Sequence, residues 1–148
     1  MAFDETDKKL INALLLNSKL SYRELAKEVN VSVATAMHRV KRLENEKVIK
    51  RYTTIIDYDK AGFDVEVLVE MRISKGKLFQ VEKEIANHPN VFAVYDLTGD
   101  FDAAILARFQ NRKAMDSFLK KIQTYDFVER TNTRLILNTI KEKEIGLR

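Results

Sequence analysis

At 148 residues, 45% hydrophobic and free of cysteine, the chain can form one average domain or two small ones, with no disulfide framework, thiolate metal site or cysteine nucleophile. No apolar run approaches the roughly 20 residues that cross a bilayer, and the opening MAFDETDKK is charged and acidic rather than a secretory signal, so a cytoplasmic location is expected. The net charge of +4 is local: Ser32 to Arg51 carries six basic residues against two acidic ones, whereas the stretch from Asp64 onward carries 14 against 13, and such a footprint suits nucleic acid.

Leu10, Ile11, Leu14 and Leu15 recur at the spacing of one buried helical stripe, and Asp4 stands where a cap is needed. Ser21-Tyr22-Arg23-Glu24 then matches a capping box, which starts a second helix near Tyr22 with an inward stripe of Tyr22, Leu25, Ala26 and Val29. Only Asn30 and Val31 intervene before Ser32, a second good N-cap, and a third helix with Val33, Ala36, Val40 and Leu43 on its inner face. Two helices joined this tightly cannot lie antiparallel, so they cross steeply as a helix-turn-helix, and Ala26 and Ala36 suit the close crossing. The outward set on the third helix is then Ala34, Thr35, His38, Lys41 and Arg42, with Arg39 at the boundary, on a rod of the width that the DNA major groove accepts. This reading requires that face to be free. That side packed against protein of the same chain, with Arg39 and Arg42 in internal salt links, would overturn it.

Residues 51–63 combine β-branched residues with a turn-rich end and read as a strand and linker. Val65, Val67, Val69, Met71 and Ile73 then alternate with polar residues, the period of a strand with one face buried. Leu78, Val81 and Ile85 form a helical stripe ended by Asn87-His88-Pro89-Asn90. VFAVYDL and AAILARF read as strands around the turn TGDFD, Met115, Phe118, Leu119 and Ile122 as a second helix, and VERTNTRLILNTI as a last strand. The order β-α-β-β-α-β predicts a ferredoxin-like α+β domain, an antiparallel sheet with both helices on one face. Leu68, Val94, Leu106 and Ile136 are expected on the other face, which a second copy of the chain would cover. The resulting division is a helix-turn-helix domain over residues 1–50, a strand and linker over 51–63, and a ferredoxin-like domain over 64–148.

Asp4-Glu5-Thr6-Asp7 with Leu10-Ile11, Leu25-Ala26, Val31-Ser32, Arg39-Val40-Lys41-Arg42-Leu43-Glu44, Val48-Ile49 and Thr98-Gly99-Asp100-Phe101-Asp102 together resemble the Lrp/AsnC family of prokaryotic transcription regulators over nearly the whole chain. The resemblance implies an N-terminal helix-turn-helix and a C-terminal effector-binding and oligomerisation domain. It also implies dimers that assemble further, for example into octamers, and amino acids as effectors. It places Ser32, Thr35, His38, Arg39 and Arg42 on the DNA side. Two positions depart from the family pattern, Lys47 where glycine is usual and Tyr58 where proline is frequent. A left-handed Lys47 would cost about 1 kcal/mol relative to glycine, so a slightly shifted helix end is expected instead.

The DNA-contacting set is therefore Ser32, Ala34, Thr35, His38, Arg39, Lys41, Arg42 and Lys50: the cations, with Lys47 and Arg51, chiefly toward phosphates, and Ala34, Thr35 and His38 toward base edges. For Thr98 to Asp102, the residues alone favour a hairpin turn with glycine at positive φ. The resemblance makes the same loop part of an effector pocket between subunits, with Gly99, Asp100 and Asp102, and then Thr131 and Thr133 on the last strand, as candidate ligand contacts. A carboxylate there suits an α-ammonium, and loop amides suit an α-carboxylate. Nothing in the sequence supports catalysis, a metal or a cofactor: His38 and His88 fall in different domains and no glycine-rich phosphate loop is present. RNA binding lacks its aromatic strand motif; the competing reading is an architectural, low-specificity DNA-compacting protein of the same fold.

Overall fold

The computed structural model describes residues 3–148, which divide into two compact units. One comprises the chain up to Ile55 together with Lys141–Arg148, and the other is Ile56–Ile140.

In the first unit, α1 (Glu5–Leu16), α2 (Tyr22–Val29) and α3 (Val33–Asn45) follow one another at short intervals. Each start is fixed by its own side chains. Asp4 accepts from the Asp7 amide at 2.9 Å while Asp7 reaches back to the Asp4 amide, and Ser21 with Glu24 repeats this reciprocal box. Ser32 caps α3 by accepting from the Thr35 amide at 3.1 Å. The turn between α2 and α3 is tight because Asn30 takes φ 58°, letting the Val31 amide reach back to the Ala26 carbonyl at 2.9 Å. Leu10, Leu14, Leu25, Ala26, Val29, Ala36 and Val40 make the core. Two stripe positions differ from expectation: Leu15 and Val33 are 44% and 45% exposed. Val33 is the first residue of α3, where no preceding turn of that helix covers it.

Lys47 is a further correction. It does adopt the left-handed conformation, with φ 60°. The Val48 amide bonds the Leu43 carbonyl at 2.9 Å and the Lys47 amide bonds Glu44 at 3.0 Å, the paired bonds of a Schellman ending. Satisfying the last carbonyls of α3 outweighs the crowding of one side chain.

No strand forms among residues 51–63, contrary to the sequence reading. A strand needs an edge to pair with, and this segment meets none among the described residues. Tyr52 instead donates to Glu44 Oε1 at 2.7 Å, and residues 57–63 coil into successive turns. Residues 141–148 also differ from expectation, grouping with the helical unit rather than with the sheet. The Asn12 side chain grips the Leu147 backbone from both sides, accepting from its amide at 2.7 Å and donating to its carbonyl at 2.9 Å.

The second unit is a four-stranded antiparallel sheet in the order β2-β3-β1-β4, from β1 (Val65–Ile73), β2 (Val91–Asp96), β3 (Ala103–Phe109) and β4 (Val128–Ile136). Helices α4 (Leu78–Glu84) and α5 (Arg112–Ile122) supply Val81, Phe118 and Ile122 to a core with Val67, Val69, Met71, Ile105, Ala107 and Phe109. The alternation in β1 puts alternate residues on the opposite face: Leu68 opposite Leu106, and Glu66 opposite Ile136. Val94 does not join them. The register of β2 shifts between Val91 and Ala93, so Val94 pairs with Ile105 and packs on the helix side.

Candidate functional site: the exposed face of the third helix and the β2–β3 loop

Ser32, Ala34, His38 and Lys41 are exposed along α3, and Lys50 is exposed beyond it. Thr35 is half-buried, and its hydroxyl lies 2.8 Å from that of Ser32, closing the first turn of the helix. With α2 braced across it, α3 presents Ala34, His38 and Lys41 from successive turns as one stripe, the arrangement a groove-entering helix needs.

Arg39 and Arg42 are not part of that free face. Arg39 Nη1 bonds the Asp4 carboxylate and, at 3.0 Å, Asp7 Oδ1; Arg42 Nη2 bonds Asp7 Oδ2 at 2.6 Å. The Asp7 side chain is 1% exposed, against 26% for Arg39 and 41% for Arg42. Helix α1 thus places both carboxylates of its capping box against α3, and each arginine finds an anion inside the chain. The guanidinium holds the Asp4 carboxyl below its usual range, helped by the Asp7 amide, and the two aspartates raise the Arg39 pKa. Both arginines assigned to phosphates are thus held by carboxylates of α1. The reason is tertiary: α1 crosses the flank of α3 that carries them. The test stated for the helix-turn-helix reading goes against it at Arg39 and Arg42, while Ser32, Ala34, His38, Lys41 and Lys50 remain exposed.

In the second unit, Gly99 and Asp100 lie in the exposed β2–β3 loop, with Gly99 at φ 111°, a conformation that side chains resist. Asp102 is already engaged. Its Oδ2 accepts from the Ile73 amide at 2.7 Å where β1 loses register with β4, its amide donates to the Met71 carbonyl, and its carbonyl receives the Leu97 amide. Met71 pairs with Thr131 on its other side, so Asp102 and Thr131 flank one residue of β1. The Arg130 guanidinium lies 5.9 Å from the Phe101 ring and links the loop to the start of β4. Thr131 contacts the Gln123 amide nitrogen at 3.5 Å, and Thr133 is exposed two pairs further along, opposite Val69. The loop and Thr131 share one end of the sheet, whereas Thr133 stands away from it.

Sequence reasoning missed Asp4 and Asp7 as partners of α3, although two aspartates and two arginines at the same three-residue spacing were a signal. No group of His, Asp and Glu able to hold a metal occurs among the described residues, and no helix there is long and apolar enough to cross a membrane.

A profile described as the Lrp/AsnC ligand binding domain matches residues 66–145, and one described as winged helix-turn-helix DNA-binding matches residues 3–50. An uncharacterized HTH-type transcriptional regulator of Pyrococcus abyssi is 40% identical over 139 residues, covering 94% of this chain and 95% of that protein. Among solved structures, Bacillus subtilis LrpC aligns with a TM-score of 0.87 and 28% identity over 97% of this chain and all of that one. A Neisseria meningitidis transcriptional regulator in complex with L-methionine aligns with a TM-score of 0.89 over 99% and 97% of the two chains; at 23% identity it supports the fold. The chain belongs to the Lrp/AsnC family of transcription regulators, non-enzymatic proteins that join a helix-turn-helix DNA-binding domain to a ligand-binding domain.

Proposed function

We propose that the chain is a sequence-specific reader of double-stranded DNA in the cytoplasm, working as a dimer or a higher assembly such as an octamer, with its DNA affinity set by an amino acid or related small molecule. The observation that carries this reading is the braced α3 with Ala34, His38 and Lys41 in one exposed stripe. In that pose Ala34, Thr35 and His38 meet base edges, while Lys41, Lys47, Lys50 and Arg51 meet phosphates. Ser32, at the N-terminus of α3, adds an uncharged donor toward the backbone.

Two-fold pairing is supported by the helix-free face of the sheet, where Leu68, Leu106 and Ile136 are partly exposed and the charges beside them are matched, although Arg72 and Arg130 face each other at one end. Arg108 Nε bonds Glu66 at 2.7 Å, and Glu70 receives both Asn132 and Arg134. A surface whose central charges are satisfied internally can be covered by its own copy without leaving a buried ion alone at its middle. Such a dimer carries two recognition helices for two half-sites.

For the ligand, the exposed loop at Gly99 and Asp100, with Thr131 close by on β4, offers a carboxylate and free backbone amides to the two ends of an amino acid. Asp102 acts there by shaping the loop, and Thr133 is an outlying contact. Calorimetric titration of the amino acids into the protein tests this. A heat signal abolished by Asp100→Ala is expected, and an undiminished signal removes Asp100 from the site.

An architectural, compacting role is the competing reading. Footprinting separates the two: discrete protected half-sites one helical turn apart are expected for a regulator, and continuous coverage would mean compaction.

A further inference from the structure

The clasp between α1 and α3 has a consequence for how this surface discriminates among DNA sequences. Four charged groups meet in it, Asp4 and Asp7 against Arg39 and Arg42, and their formal charges cancel. Both Asp7 oxygens are taken, one by each arginine, and the side chain is 1% exposed, so an arginine that leaves strips a buried carboxylate oxygen of its partner. On a helix with about 100° between residues, Arg42 sits roughly 70° round from the centre of the Ala34, His38, Lys41 stripe, and Arg39 roughly 130°. Arg42 thus flanks the groove-facing side, at the height of the phosphates that border a bound helix. Asp7 holds it by Nη2 alone, its Nε being buried without a hydrogen-bond partner and 4.0 Å from Glu46. A cation so placed, if free, would contact the backbone of any duplex and add to sequence-independent affinity.

We propose that Asp7, with Asp4 holding Arg39 beside it, is a specificity-setting residue: by occupying Arg42 it keeps a cation off the DNA backbone and so restrains binding to unrelated sequences. The carboxylates stand where phosphate oxygens would otherwise stand, one set of N–H donors serving either. The aspartates need not touch DNA, since they act through the arginines. This inference rests on the DNA-binding reading. It adds that the six basic residues between Ser32 and Arg51 do not count equally, because only Lys41, Lys47, Lys50 and Arg51 are unclaimed by an ion pair among the described residues.

The test uses the full chain and a mixed-sequence duplex of about 30 base pairs, with the slope of log K against log salt as readout. In the double variant Asp4→Asn and Asp7→Asn the amides keep the cap and its shape while removing the charge. Its slope is expected to steepen by about 0.9 as Arg42 is released, Arg39 being turned to the far flank of α3. A control carrying Glu82→Gln and Glu129→Gln, both exposed in the sheet unit, makes the same change in net charge and is expected to keep the wild-type slope. An unchanged slope in a folded Asp4→Asn/Asp7→Asn protein would overturn the proposal, as would equal steepening in the control. If the double variant does not fold, Arg42→Gln decides. The proposal requires its slope to match wild type, and a slope shallower by about 0.9 would mean that Arg42 already meets phosphate. Wild-type protein that binds no duplex at low salt would instead overturn the DNA-binding reading itself.

Discussion

Lys47 gives the sharpest link between the sequence, one turn of backbone and the two properties that can be measured there. Its φ of 60° is held by the Val48 amide on Leu43 at 2.9 Å and the Lys47 amide on Glu44 at 3.0 Å. In that conformation a Cβ crowds the backbone at a cost of about 1–2 kcal/mol, while glycine returns about 0.4–1 kcal/mol through the greater freedom of the unfolded chain. Lys47→Gly should therefore stabilise the helical unit by about 0.5–1 kcal/mol, a rise of about 2–8 °C in the melting midpoint of a unit this small. Lys47→Ala keeps the Cβ and should leave stability close to wild type. Lys47 is also exposed and unpaired among the described residues, so both substitutions should make the salt slope of DNA binding shallower by about 0.9. Chemical denaturation followed by helical circular dichroism, beside anisotropy titrations at several salt concentrations, reads the two effects separately. Destabilisation by glycine, or equal stabilisation by alanine, would refute the backbone argument.

The remaining expectations concern the sheet unit. Asp102→Ala strips the acceptor from the Ile73 amide, which is largely buried, and should lower urea stability by about 1–3 kcal/mol, whereas Asp100→Ala, in solvent, should not. Leu106→Asp puts a charge in the middle of the helix-free face and should shift sedimentation toward the monomer while the secondary structure persists. His88 packs edge-on against Phe118 at 4.8 Å, and burial, then the charge of Lys121, holds its pKa below the usual 6.5. The folded state then binds fewer protons than the unfolded one, so stability present above about pH 6.5 is lost as pH falls through the lowered value. Replacing His88 by asparagine should flatten that acid limb of the stability curve.

What the sequence disclosed follows the range of the forces involved. The caps at Asp4, Ser21 and Ser32 and the stripes of the helices were legible because they depend on residues three and four apart. The alternation in β1 was legible for the same reason, its burial following the period of two. Periodicity also put Arg39 at the boundary of α3, but could not say which helix would lie beside that flank; the clasp joins residues 32 to 35 positions apart. The β2 register shift that turns Val94 inward carries no glycine or proline to announce it. The left-handed Lys47 looked unfavourable as a single residue and is stable only with the two carbonyls of α3 that its turn satisfies. In the β2–β3 loop the positive φ of Gly99 was readable, whereas the engagement of Asp102 with β1 depends on the sheet pairing.

The central claim is that the exposed stripe of α3 reads bases. The most direct measurement compares affinity for a duplex selected from a random library with affinity for its scrambled counterpart, in wild type and in a protein carrying His38→Ala. The account predicts that this variant loses about 1–3 kcal/mol of the discrimination, for the base contact removed, while binding the scrambled duplex as wild type does. Full discrimination retained by the variant would contradict it.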